Sequence, residues 1–324
     1  PYFRIENVID GLFTVVNKLY GFTFTERKDI PTYHPDVRVF EMKEANGDHV
    51  GIIYTDYFPR ESKRAGAWMD NYRNQSNIAG EYVSPIVFNT GNFTKPTKDK
   101  PALITFGEVE TMFHEFGHAL HGLLSKVTYP SLSGTNVAWD FVELPSQIME
   151  HWVSEPQVLK MFAKHYETGE PMPDELIEKI QKVSKFNQGF ATVSYLSASL
   201  LDMNYHTVAQ EKPISVDDFE NELFEKLGLM PEIGVRYRST FFSHIFAGGY
   251  SSGYYSYIWA EVLDTDAFDA FKENGIFDSK TAAAFRNNIL SKGGTEEAMT
   301  LYKRFRGKEP NVEGLLKRRG LIEE

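Results

Sequence analysis

The run TMFHEFGHALHGLL, residues 111–124, constrains the fold of this chain more than any other stretch. Its apolar residues recur at three- and four-residue intervals, the period of a helix. They close around three histidines and one glutamate, so this helix carries ionisable groups away from water. Desolvating such groups costs free energy unless each finds a partner. The chain must therefore fold around this helix, expected to open near Gly107, and must bring something to its polar side chains.

The spacing His-Glu-x-x-His says what that something is. On an α-helix His114 and His118 lie about 40° apart in azimuth and about 6 Å apart along the axis, so both imidazoles can converge on one ion. The chain contains no cysteine, which leaves His and carboxylate as donors and one zinc per chain as the expected cofactor. Glu115 points about 100° away from His114. It can address a water at the metal without being a ligand, the position of a general base. His121 shares a helix face with His114 but sits about 10.5 Å farther along the axis, too far for one ion to serve both. A structural hydrogen bond is its expected task.

A catalytic zinc takes three protein ligands and keeps a fourth position open. The run AWDFVELPSQIMEHW, residues 138–152, reads as an amphipathic helix whose acids are Asp140, Glu143 and Glu150. Glu143 follows His118 by 25 residues, room for a helix end, a loop and a second helix laid across the first. It is the expected third ligand. Asp140, one turn earlier, is a candidate acceptor for a ligand imidazole N–H or equally an N-cap. Glu150, two turns later, reads as a solvated or structural acid.

The rest of the chain supports a mostly α (α+β) fold. Glu6–Gly21 is expected to be a helix, and two strands should meet at Asn46-Gly47. PIVFNTGNF and PALITF are short β-like runs just before the motif helix. Helices are expected over Phe141–Ser154, Pro156–His165, Pro173–Glu211 and Val216–Leu227, with more after the Gly- and Tyr-rich AGGYSSGYYSY at 247–257. No repeat or linker divides the 324 residues, so they read as one unit. The net charge of −11 argues against nucleic acid or an anionic membrane as partner. No apolar run is long enough to span a bilayer.

FHEFGHALH, GTNVAWDFVELPSQIMEHWV, HYETGEPMPDEL and HIFAGGYSSGYYSYIWAEVL together resemble the thimet-oligopeptidase family of zinc metallopeptidases, zincin-like enzymes of short peptides. The likeness is to its bacterial peptidyl-dipeptidases first and oligopeptidase A next. DIPTYHPDVRVFEM, SKRAGAWMDNY and ILSKGGTEEAMTLYKRFRGKEP extend it over essentially the whole chain. The resemblance implies that residues 1–324 are the C-terminal catalytic half of a longer protein, whose missing N-terminal half forms the opposite wall of a channel. An uncovered apolar face would then let the chain associate with itself. The resemblance puts His114, His118 and Glu143 on the zinc ligands and Glu115 on the general base. It assigns Tyr257 to the oxyanion, Tyr250 to its support and His244 to the substrate backbone, and leaves Tyr254 and Tyr255 without a clear role. It implies the cytoplasm, with the periplasm as alternative.

Release of C-terminal dipeptides would need a fixed cation for the terminal carboxylate, and Arg236 and Arg238 lie nearest the Tyr-rich loop in sequence. A solvated charge or a local salt bridge is the competing reading for either. Two other functions remain open at this point: an endo-acting oligopeptidase and a catalytically silent peptide-binding module.

Overall fold

The computed structural model describes residues 1–209, 215–230, 232 and 235–323. The chain opens with α1 (Ile5–Tyr20), closed by Gly21 at a φ of 79°. Strands β1 (Thr23–Glu26), β2 (Arg38–Lys43), β3 (His49–Asp56), β4 (Trp68–Arg73), β5 (Ser76–Ile78), β6 (Glu81–Val83) and β7 (Ile86–Thr90) follow. Five of them form a mixed sheet in the order β1-β2-β3-β7-β4, in which only β3 and β7 run parallel. β5 and β6 pair separately. The hairpin expected at Asn46-Gly47 joins β2 to β3, and Gly47 takes the positive φ of 91° that the turn requires. β4 was not legible in the sequence; it is an edge strand, with no described strand on its outer side.

PALITF is not a strand. It makes a single bridge, Leu103 with Arg4, because α1 begins one residue after Arg4 and the motif helix follows just beyond Ile104. That helix, α2 (Phe106–Leu123), starts at a capping box: the Glu108 amide donates to the Thr105 hydroxyl, and the Thr105 amide donates to the Glu108 carboxylate.

The predicted helix over Phe141–Ser154 is two helices, α3 (Trp139–Val142) and α4 (Leu144–Ser154). Pro145 cannot donate to a continuing helix, and the chain breaks at Glu143. α5 (Pro156–Phe162) follows, ending three residues before the expected His165. The long helix expected over 173–211 is also two, α6 (Asp174–Val183) and α7 (Gln188–Thr207), separated where Asn187 adopts a left-handed φ of 55°. Its last two residues, 210 and 211, lie outside the described residues. Then come α8 (Val216–Lys226), α9 (Ser243–Phe246), α10 (Ser256–Asn274), α11 (Ser279–Phe285), α12 (Ala298–Arg306) and α13 (Glu313–Arg318). No helix among the described residues is long and apolar enough to cross a membrane.

The main core gathers α1, the sheet, α2, α4, α5 and α10–α12 around Phe113, Phe116, Trp152 and Phe268. A smaller core joins α7 and α8 to the Tyr-rich loop through Leu201, Leu223, Phe242, Ile245 and Tyr254. The outer side of α7 leaves Phe190, Val193, Leu200 and Met203 exposed.

One close approach positions the site. A Cβ on Gly117 would lie 2.1 Å from the Pro145 carbonyl oxygen and 2.6 Å from Ser146 Cα. Only a glycine between the two motif histidines lets α4 rest its backbone directly on α2. Alanine would gain about 1 kcal/mol of helix propensity. The overlap should cost about 3 kcal/mol. Gly117→Ala is therefore expected to destabilise the fold by about 2 kcal/mol in denaturant melts, and to weaken metal binding because Glu143 is pushed outward.

Candidate metal centre

α2 supplies His114 and His118 one turn apart, and the α3–α4 junction supplies Glu143. Glu143 Oε2 lies 3.3 Å from His114 Nε2 and 3.1 Å from His118 Nε2. One donor atom from each of the three residues falls within 4.8 Å of the others. The imidazole planes are nearly perpendicular, at 85°. Two Nε2 atoms and a carboxylate oxygen converging on one point make a donor set that suits zinc. The set therefore fits the metal that the sequence implies.

The electrostatics point the same way. Burial disfavours a charged His114, but Glu143 and Glu150 beside it outweigh burial and hold its pKa well above the usual value. Burial also works against an ionised Glu143, yet His118 and His114 keep it well below the ordinary carboxylate range. This is a buried carboxylate that stays charged because positive charge is close. Burial raises the Glu115 carboxyl, with the two histidines opposing. Glu115 Oε2 has no hydrogen-bond partner among the described residues.

The partner of the ligand imidazole differs from the expectation. His114 Nδ1 lies 2.7 Å from Glu150 Oε1. Asp140 lies elsewhere, its Oδ2 accepting from the Tyr255 hydroxyl at 3.2 Å. Nor does Asp140 cap α3, whose N-cap residue is Ala138. The break at Glu143 puts Asp140 on a separate short helix, whereas Glu150 sits two turns beyond Glu143 on nearly the same face of α4. That seven-residue spacing was the signal available in the sequence. Once a bound cation displaces the Nε2 proton, Nδ1–H donating to Glu150 would orient the ring with its Nε2 lone pair on that cation.

His121 also departs from expectation. It is fully buried, and neither ring nitrogen has a hydrogen-bond partner among the described residues. Burial, with His118 adding to it, pushes its pKa down to about 3. It packs as a neutral ring, and the structural hydrogen bond expected of it is not found among the described residues.

The Tyr-rich loop between α9 and α10 closes over this cluster. Tyr250 donates its hydroxyl to Glu143 Oε1 at 2.7 Å, so it touches the carboxylate oxygen that faces away from the histidines. Ser146 donates to Oε2 at 2.9 Å. Tyr257 stacks on Tyr250, with centroids 5.2 Å apart and planes 15° apart. Burial, then the Glu143 charge, raise both phenols, so each is a proton donor at neutral pH. The His244 ring lies 6.0 Å from that of Tyr250, and burial followed by Arg236 lowers its pKa. Tyr254 is buried in the smaller core, and Tyr255 meets Asp140.

Arg238 does not face the cluster. It pairs with Glu220 at 2.6 Å and Asp217 at 2.9 Å, both on α8, and so follows the local salt-bridge reading. Arg236 stacks over Tyr237 at 5.6 Å, and its charge is felt at His244.

A buried His-Glu-x-x-His helix, crossed by a second helix carrying a glutamate, on a helical fold with a small mixed sheet, defines a metallopeptidase. A family profile described as Peptidase family M3 matches residues 1–321, and the chain belongs to that family. It is 45% identical over 324 residues to dipeptidyl carboxypeptidase of Escherichia coli (strain K12), covering 99% of this chain and 47% of that protein. It is 44% identical to oligopeptidase A of the same organism, covering 99% of this chain and 48% of the other. The chain thus spans about half the length of these curated relatives. A solved structure described as "The Structure of CHT" shares the fold, with 13% identity, a TM-score of 0.52, and coverage of 98% of this chain and 59% of that one.

Two measurements probe the centre. Glu150→Ala removes the acceptor behind His114 and should weaken metal binding by about 10–100-fold in a chelator titration, with the fold retained. His121 has a folded pKa near 3, below its unfolded value. Between the two values the unfolded chain binds a proton that the folded one refuses, so stability is lost as pH falls below about 6.5. From pH 7 to pH 5 this side chain should cost about 2 kcal/mol, and His121→Leu should show that much less acid sensitivity in denaturant melts.

Proposed function

We propose that this chain is the catalytic half of a zinc peptidase that removes dipeptides from the C-termini of short peptides. The observation that carries the reading is the convergence of His114, His118 and Glu143 beside the buried Glu115, whose Oε2 has no hydrogen-bond partner among the described residues. Zinc in that donor set supplies Lewis acidity, lowering the pKa of a water towards about 7 and polarising a carbonyl. Glu115 takes the proton from that water as its oxygen bonds to the scissile carbon. Glu115 then passes the proton to the amine as the C–N bond breaks. Tyr257 donates its O–H to the oxyanion that develops. Tyr250 holds Glu143 and backs Tyr257 by stacking, and neutral His244 can hydrogen-bond the substrate main chain. The edge of β4, with no described strand on its outer side, is where an extended peptide could add as a further strand.

The relatives named above support two modes of cleavage almost equally by identity, so the choice of dipeptide release rests on chemistry. Of the two arginines considered, Arg238 is paired with α8, so Arg236, whose charge is felt at His244, is the candidate for a terminal carboxylate. The exposed outer face of α7 supports the further reading that the longer protein covers this half with the remainder of its chain, and that this half alone associates with itself.

Glu115→Gln in the full-length protein should keep about one zinc while losing about 10²–10⁴ in kcat, because it removes a base and leaves the donor set whole. Near-normal turnover would overturn the assignment. Amidating the C-terminus of a quenched peptide should cut kcat/KM steeply, and Arg236→Ala should erase the difference between acid and amide. Equal cleavage of both forms would make the protein an endo-acting oligopeptidase.

A further inference from the structure

Of the two phenols placed at the metal centre, Tyr250 lies within, and Tyr257 just after, a stretch that has little reason to hold one shape. Residues 247–255 include Gly248, Gly249 and Gly253, and Ser252 adopts a left-handed φ of 56°, which L side chains disfavour. Among the described residues its local bonds are Ala247 N to Ser243 O at 2.8 Å, Tyr250 N to His244 O at 2.9 Å, Gly253 N to Tyr250 O at 2.8 Å, Ser256 N to Gly253 O at 3.0 Å, and Ser251 Oγ to Ile245 O, none of which reaches the glycine pair Gly248-Gly249. Something outside the loop must select this conformation.

That something is one face of α7. Asp202 is fully buried, and its two carboxylate oxygens accept separately from the loop backbone. Oδ1 receives the Ser252 N–H at 2.9 Å and Oδ2 the Tyr254 N–H at 2.9 Å. Seven residues earlier on the same helix face, the Tyr195 hydroxyl donates to the Tyr254 carbonyl and accepts from Ile258 N at 3.3 Å. The His206 ring lies 2.9 Å from Asp202 Oδ1 and supplies the nearby polar partner from α7 itself. A carboxylate is suited to this place because two N–H groups need two acceptors, and a carboxamide of the same shape has only one.

We propose that Asp202 is a positioning residue for peptide hydrolysis: by clamping the Ser252 and Tyr254 amides it sets the turn that holds Tyr250 on Glu143 and Tyr257 against Tyr250. The inference rests on the function proposed above, since it acts through the phenols. Asp202 touches neither the metal ligands nor any reacting atom. Its effect comes from geometry, where a displacement near 1 Å can cost about 10²-fold in rate.

The test is a double-mutant cycle in the full-length protein, read by turnover, metal binding and hydrogen exchange. Asp202→Asn keeps the shape but turns one acceptor into a donor facing an N–H. It should lower kcat about 10²-fold with metal affinity unchanged, and should speed amide exchange in residues 247–257 but not in α2. In a Tyr250→Phe/Tyr257→Phe background the same substitution should cost less than about 3-fold, because both hydroxyls it positions are already gone. Equal fractional losses in both backgrounds, or unchanged turnover, would overturn the proposal. If the unmutated protein binds zinc yet cleaves no peptide, the function reading fails, and the exchange measurement still decides whether the clamp exists: unchanged exchange in 247–257 rejects it. Should Asp202→Asn not fold, Asp202→Glu displaces the same two oxygens by one methylene and carries the same expectations.

Discussion

Backbone contact between α2 and α4 at Gly117 is the constraint on which the rest of the structure depends. The Pro145 carbonyl occupies the space a side chain would need. Because that contact has no side chain in it, Glu143 reaches both Nε2 atoms. The same contact brings Glu150 to His114 Nδ1. Pro145 contributes twice, breaking the helix so that Glu143 sits at a junction and laying its carbonyl against Gly117. The positions of His114, His118, Glu143, Glu150 and Glu115 relative to one another are thus set by the crossing of two helices.

Electrostatic balance explains why so much charge can be buried there. Two carboxylates face His114, and two imidazoles face Glu143, so each burial cost is offset by an opposite neighbour. The network continues behind the centre, where Arg318 of α13 lies 3.3 Å from the buried Asp264 and His151 lies 2.6 Å from the same carboxylate. Helix α13 is therefore tied to α4 and α10 by hydrogen bonds as well as by packing. Glu115 stands apart from this balance, since one of its oxygens finds no partner among the described residues.

The centre is assembled from two packing units. His114, His118 and Glu143 sit on α2 and the α3–α4 junction beside the main core, whereas Tyr250 and Tyr257 pack against the smaller core built on α7 and α8. The hydrogen bond from Tyr250 to Glu143, the tilted contact of Trp139 with Tyr250 and the bond from Gln147 to the Tyr257 carbonyl join the two. Tyr257 is also the second residue of α10, whose later turns lie in the main core, while Tyr250 depends on the loop that Asp202 of α7 holds.

The amino-acid sequence by itself determined what can be computed from the geometry of one helix. The pitch of an α-helix places His114 and His118 together, turns Glu115 aside and carries His121 out of reach, and no tertiary detail changes that. Turn chemistry was equally local, as Asn46-Gly47 and the end of α1 show. The fold class followed from the spacing of apolar residues. Only the tertiary structure decided which acid stands behind His114, because Asp140 and Glu150 differ by the break that Pro145 imposes. It also decided that His121 is a silent buried ring, that Arg238 belongs to α8, and that residues 173–211 form two helices around Asn187. Edge strand β4 and the Asp202 clamp were illegible for the same reason. A strand defined by its neighbour, or a carboxylate defined by amides 50 residues away, leaves no periodicity in its own segment.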